Sequence, residues 1–232
     1  MTFRDWFDSI LNLFFPRVCA ACGEALLKDE ETVCLKCRYT LPRTGYELNH
    51  DNPVAQSFYG RVPLHAVTSC FFFAKSGKVQ HLIHQLKYKG NKEAGIFLGQ
   101  QIGESIKEAP LFQGIDYLIP VPLHPKREKQ RGYNQSLMIA QGIHEATGIA
   151  IGDKYLARVV YTDTQTHKSA EERFKNVTNI FEVRFAEELE EKHVLLVDDV
   201  LTTGATLESC AHQMESIPGI KISVATAACA NN

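Results

Sequence analysis

The chain has almost no charge imbalance: 25 Lys and Arg stand against 27 Asp and Glu, a formal net charge of -2 over 232 residues. A surface so balanced exerts no bulk attraction on DNA or anionic lipid, which excludes functions carried by overall charge. Long apolar runs are also missing. Ile10 to Phe15, the longest near the amino terminus, is broken by Asn12 and stopped by Pro16, well short of the about 20 residues that span a bilayer. Met1 to Pro16 carries Arg4, Asp5 and Asp8 and lacks a cleavage pattern, so no secretory segment is read and a reducing, cytoplasmic setting is expected. Repeats and low-complexity linkers are absent. Gly77-Lys78 has no glycine upstream at the distance a phosphate-binding Walker loop needs, so ATP hydrolysis is not expected.

What remains is a chain with 44% hydrophobic residues, enough for one α/β domain and a small appendage. Its most informative stretch runs from His193 to Thr206. Val194 to Val197 read as a buried parallel strand, which places Asp198 and Asp199 at its carboxyl end, where open α/β sheets bind their ligands. Thr202 to Thr206 then turn into a helix starting near Ala205. Free N–H groups at such a turn, the helix dipole and three threonine hydroxyls suit a phosphate. N-capping would account for one threonine. It leaves two adjacent carboxylates at the mouth of an apolar strand unexplained, because carboxylates are costly there without a polar or cationic partner.

The second motif lies at the other end. Cys19-Ala-Ala-Cys22 and Cys34-Leu-Lys-Cys37, with eleven residues between them, form two Cys-x2-Cys knuckles that can close a tetrahedral zinc site. Disulfides are the alternative, and they need an oxidising compartment. Four thiolates leave no open position, so the zinc is read as structural, holding a ribbon too small to fold on its own core. Cys70, Cys210 and Cys229 have no partner spacing and read as buried thiols. Between Met1 and Gly60, six basic residues face eight acids, which is no nucleic-acid footprint.

Ahead of the ribbon, Phe3, Trp6, Phe7, Ile10, Leu11 and Phe14 recur at helical spacing. This makes residues 1–16 an amphipathic helix, either an anchor or, as its acidic polar face favours, a packing element. Residues 17–60 hold the ribbon and a hood region, and 61–232 the main domain. In that domain the pattern predicts strands over Ala66–Ala74, Tyr117–Val121 and Lys221–Ala228. Helices are predicted over Lys78–Lys87, Glu93–Lys107 and Gln135–Thr147, the last stopped by Gly148. Gly95, Gly99 and Gly103 form a smooth stripe for close packing.

Two loops complete the candidate site. Leu123 to Asn134 carries Lys126, Arg127, Lys129 and Arg131 against one acid and leads into a helix, so it is either an anion cradle or a solvated charged face. Thr162 to Asn176 is long and polar, holding Lys168 and Arg173, and reads as a lid or as plain surface. Lys75 to Lys92 contains five lysines and no acid. It could track a nucleic-acid backbone with Tyr88 stacking on a base, or be the polar edge of a helix.

Val197-Asp198-Asp199-Val200 with Thr202-Thr203-Gly204-Ala205-Thr206 resembles the phosphoribosyl pyrophosphate (PRPP) motif of type I phosphoribosyltransferases. With the cysteine knuckles, Leu86-Lys87-Tyr88-Lys89-Gly90, Val121-Pro122-Leu123-His124, Arg131-Gly132-Tyr133-Asn134-Gln135, Arg173 and Asn176, nearly the whole chain resembles the ComF family. Tyr133 stands where that family commonly has phenylalanine. The resemblance implies a phosphoribosyltransferase-like parallel sheet flanked by helices behind a four-cysteine zinc ribbon. It implies that Asp198 and Asp199 hold the ribose hydroxyls and Thr202, Thr203, Gly204, Ala205 and Thr206 the 5-phosphate. Lys126, Arg127, Arg131 and Gly132 would meet pyrophosphate, and Lys168 and Arg173 would neutralise leaving charge. Magnesium would bind with PRPP. The implied role is phosphoribosyl transfer to an unidentified acceptor in DNA uptake. The alternative is a non-catalytic PRPP sensor that contacts single-stranded DNA or competence proteins.

Overall fold

The computed structural model describes residues 17–159 and 180–230. Its centre is a five-stranded sheet in the order β1-β7-β6-β2-β3. These strands are β1 (Ala66–Phe73), β2 (Tyr117–Pro120), β3 (Ala150–Ile151), β6 (His193–Leu201) and β7 (Lys221–Ala230). Every pairing in it is parallel, as the resemblance implies. A separate antiparallel pair, β4 (Leu156–Arg158) and β5 (Phe181–Val183), stands beside it.

Both faces of the sheet are covered, which explains why its strands read as unbroken apolar runs. Successive side chains alternate between two cores. Leu118, Leu195, Val197 and Ala225 join the first, whereas Ile119, Val194, Leu196 and Val224 join the second. Over the first face lie α3 (Lys78–Tyr88), α4 (Lys92–Ile106) and α6 (Gln135–Thr147); on the second lie α2 (Pro53–Gln56) and α7 (Ala205–Met214). The predicted helix over Gln135–Thr147 is found with those bounds, capped by Asn134 at one end and by Gly148 in the left-handed region at the other. The glycine stripe packs as expected. A Cβ on Gly99 would run into the Ile139 carbonyl of α6, and one on Gly142 into the Ile96 carbonyl of α4, so the two backbones cross in near contact.

Two local expectations change. The strand carrying the aspartates does not end at Val197. It continues to Leu201 because β7 runs alongside, pairing Val200 with Ala228 and Leu201 with Cys229. The basic segment expected as a loop contains a helix, α5 (Pro125–Arg131). Proline at its first position and Gly132 at φ 83° after its last set the two ends.

The ribbon packs directly on the main domain. Its helix α1 (Leu35–Thr40) starts right after Cys34. Cys19, Ala21, Val33, Cys34 and Cys37 belong to the same buried cluster as α3 and α4, and His81 of α3 bonds the Ala21 carbonyl at 3.0 Å. The predicted amphipathic helix falls outside the described residues.

Candidate functional site

The carboxyl ends of β2, β6 and β7 open into a cleft of about 670 Å³. Asp198 and Asp199 rise from β6 into it, and they are not equivalent. Asp198 Oδ1 accepts from Ser136 Oγ at 2.9 Å and from its neighbour's backbone N–H at 2.9 Å. Burial, and then repulsion from Asp199, push its carboxyl up to about 7, although the Asp199 N–H, Ser136 and Lys87 pull the other way. Asp199 faces Lys87, whose Nζ lies 2.8 Å from Oδ1.

Beyond the strand, Thr202, Thr203, Ala205 and Thr206 are exposed around a buried Gly204. Gly204 holds φ 76° at the start of α7, and a Cβ there would sit 2.8 Å from the Phe58 ring. Glycine is therefore required both by conformation and by space. Gly204, at the cap position of α7, has no side chain to offer; Thr203 Oγ1 accepts from the Ala205 N–H at 3.4 Å, and the other first-turn N–H groups are left for an anion. The loop is braced from below by the fully buried Phe58 and by Arg61, which donates to the Thr203 carbonyl at 3.2 Å and pairs with Glu208.

The structure brings together Asp198, Asp199, Thr202, Thr206, Arg127 and Arg131 along the one cleft. Thr203, Gly204 and Ala205 line an adjoining recess of about 40 Å³, which Asp198, Thr202 and Thr206 share. Lys126 and Gly132 are not among the residues lining the cleft. Lys126 lies in the first turn of α5, and Gly132 ends that helix by donating its N–H to the Glu128 carbonyl at 2.7 Å. Lys168, Arg173 and the rest of the predicted lid lie outside the described residues.

Several wall residues were not assigned to the site from the sequence, although Gln135, Lys87 and Tyr88 stand within the motifs that carry the resemblance. Ser136 and Gln135 come from the first turn of α6, whose start is tied to β2 because Asn134 Nδ2 donates to the Val121 carbonyl at 3.0 Å. Arg158 reaches in from β4, stacked on Phe181 with 5.4 Å from guanidinium carbon to ring centre. Gln80, His84, Lys87 and Tyr88 form the facing wall from α3. The hood was expected within residues 17–60, together with the ribbon, and none of those residues lines the cleft. Phe58 and Arg61 sit under the Thr202–Thr206 loop instead, while α3, following edge strand β1, covers the carboxyl ends.

The lysine tract is dispersed as well. Lys87 meets Asp199, Lys78 donates to Thr40 Oγ1 at 2.8 Å, and the Lys92 ammonium lies 5.4 Å from the Tyr133 ring centre. A single phosphate-tracking stripe would need these ammonium groups aligned.

Away from the cleft, the side-chain sulfurs of Cys19, Cys22, Cys34 and Cys37 all lie within 4.8 Å of one another. Cys22 and Cys34 are 3.9 Å apart. A tetrahedral zinc–thiolate site separates its sulfurs by about 3.8 Å, so this donor set fits one closed divalent cation. Among the described residues no other such cluster occurs, and no helix is long and apolar enough to cross a membrane.

Comparison with known proteins agrees with this geometry. Residues 137–231 match the family model of the phosphoribosyl transferase domain. The chain is 28% identical over 210 residues to DNA utilization protein YhgH of Salmonella typhi, covering 86% of this chain and 91% of that protein. Competence protein F of Haemophilus influenzae is 36% identical over 101 residues, 43% of this chain and 44% of the relative. Among solved structures, a hypoxanthine phosphoribosyltransferase from Staphylococcus aureus overlaps 58% of this chain and 62% of its own. That overlap has 18% identity and a TM-score of 0.37, too partial to carry an argument.

Proposed function

We propose that the chain, a ComF-like protein with a type I phosphoribosyltransferase domain, binds PRPP with magnesium and transfers the phosphoribosyl group to an acceptor. One observation carries this reading: two adjacent carboxylates and a hydroxyl-rich loop leading into a helix N-terminus share the cleft with two arginines of α5. Paired acceptors suit the ribose diol, and a helix N-terminus suits the 5-phosphate. Arg127 and Arg131 would hold the pyrophosphate, where charge develops as the glycosidic bond breaks. Magnesium fits the donors present, since it binds through one or two carboxylates plus substrate phosphates; it would supply charge neutralisation at the leaving group. Lys168 and Arg173 are assigned the same task from the lid.

The four-cysteine site is assigned a structural zinc, and thiolate ligation assigns the protein to a reducing cytoplasm. The names of the relatives point to DNA utilization and competence as the process served. A sensor that binds PRPP without chemistry is the second reading, supported by Lys87 on Asp199, because an ion pair across the sugar subsite is a gate as readily as a catalytic part.

Titration calorimetry with PRPP and magnesium tests both. The wild type is expected to bind, and Asp198→Asn/Asp199→Asn to lose at least about 100-fold in affinity, the loss of two diol contacts at 1.5 kcal/mol each. No wild-type binding would end both readings. Pyrophosphate release across amines, bases and single-stranded DNA then separates enzyme from sensor.

A further inference from the structure

Lys87 stands where a sugar-binding site has no obvious use for it. It is carried on the last turn of α3, far from Asp199 in sequence, and its ammonium lies 2.8 Å from Asp199 Oδ1 with the two side chains only 24% and 12% exposed. A hydroxyl that is to donate to Asp199 Oδ1 must displace the ammonium, and one that donates to Oδ2 meets a carboxylate whose charge a cation already shares. Without that cation, Asp199 would be left beside a second carboxylate in a sheltered cleft, an expensive arrangement for an empty site. Lys87 thus makes the ligand-free pocket tolerable and also obstructs it.

The same turn of α3 is fastened to the basic segment. Tyr133 Oη donates to the Leu86 carbonyl, and the Arg131 guanidinium carbon sits 5.6 Å from the Tyr88 ring centre. Arg127 and Arg131 line the cleft with Lys87. An anion held by these arginines therefore enters within the neighbourhood of a flexible four-carbon ammonium side chain.

We propose, building on the PRPP reading, that Lys87 is a placeholder counter-ion: it neutralises Asp199 until a diphosphate enters beside Arg127 and Arg131, then moves to the diphosphate and frees Asp199 for the sugar diol. The two halves of the ligand are then coupled. A sugar phosphate alone must break the ion pair, whereas one arriving with diphosphate finds Asp199 released. By linkage the coupling is reciprocal. Lys87 acts here as a positioning residue.

Calorimetry with magnesium, using ribose 5-phosphate and inorganic pyrophosphate singly and together, tests this on the wild type, Lys87→Met and Lys87→Arg. In the wild type, saturating pyrophosphate is expected to tighten ribose 5-phosphate at least about fivefold. In Lys87→Met the coupling disappears. Pyrophosphate weakens, yet ribose 5-phosphate alone binds as tightly as before or more tightly. Lys87→Arg, which keeps the charge and guards against a folding artefact, restores part of the coupling. Coupling that survives in Lys87→Met overturns the proposal, as does its absence from the wild type. So does a parallel weakening of both probes, which would make Lys87 an ordinary anion ligand. PRPP binding without coupling sinks only the placeholder, while failure of the wild type to bind PRPP removes the pocket reading beneath it.

Discussion

The two ends of β6 carry the same kind of sequence feature, polar residues flanking four buried aliphatics, and they do opposite things. At the amino end, His193 is only 5% exposed, and both ring nitrogens have partners, Ser223 Oγ at 2.8 Å and the Gln113 carbonyl at 3.3 Å. Its backbone N–H donates to Asp116 at 2.9 Å, and the His65 ring meets its own edge to face at 5.1 Å. At the carboxyl end, Asp198 and Asp199 face a cleft and are balanced by a serine, a backbone N–H, a lysine and the charge of Arg158. A closed network stabilises the fold. An open one, in which burial and like charge hold a carboxyl near neutrality, stores affinity for a ligand at the expense of stability.

The largest expected effect sets the ends against each other by mutation. Asp198→Asn should weaken PRPP binding at least about tenfold yet raise the melting temperature at pH 8 by on the order of 5 °C. His193→Ala should leave PRPP affinity unchanged and lower stability by about 3 kcal/mol, the loss of a packed ring and two satisfied hydrogen bonds. Thermal melts with calorimetry check both, and a His193→Ala protein that is stable but cannot bind would erase the distinction.

A second contrast is in pH. Because its folded pKa, about 7, lies above the unfolded one, Asp198 favours the native state below about pH 4, and that contribution is lost as pH rises through 7. The gain from Asp198→Asn should therefore shrink between pH 8 and pH 5. Burial lowers the pKa of His193, and His65 and Lys221 lower it further by charge. Its contribution is thus present above about pH 6.5 and lost as pH falls through the folded value. Melts from pH 8 to pH 5 should show His193→Gln flattening the acid side, and an unchanged acid limb would refute the assignment.

The smallest effect probes the loop alone. Gly204→Ala should cost about 1 to 2 kcal/mol, because it places a side chain in the left-handed region against Phe58. It should also weaken phosphate binding relative to the wild type, measured with ribose 5-phosphate.

Much of this was readable because it is local. The β6 run, the pair Asp198-Asp199 and the loop Thr202–Thr206 are contiguous, so covalent connection alone delivers the carboxylates and the hydroxyl-rich loop to one place. The knuckle cysteines and the capped helix Gln135–Thr147 follow from spacing and cap chemistry, again within a few residues. Strand ends were read less well, since where β6 stops depends on how far β7 runs beside it.

Partners distant in the chain were not legible at all. Lys87 belonged to a lysine-rich helix edge until the order β1-β7-β6 brought α3 over Asp199. Ser136 was one polar residue in a predicted helix until α6 packed on β6 and turned its hydroxyl to Asp198. Phe58 lay in the predicted hood region until folding put it under Gly204. Local pattern determined the kind of ligand chemistry present, because hydrogen-bonding groups adjacent in sequence stay adjacent in space. Tertiary structure decided what neutralises that chemistry and closes over it, because the balance of charge in a cleft is set by whichever elements the sheet order places across it.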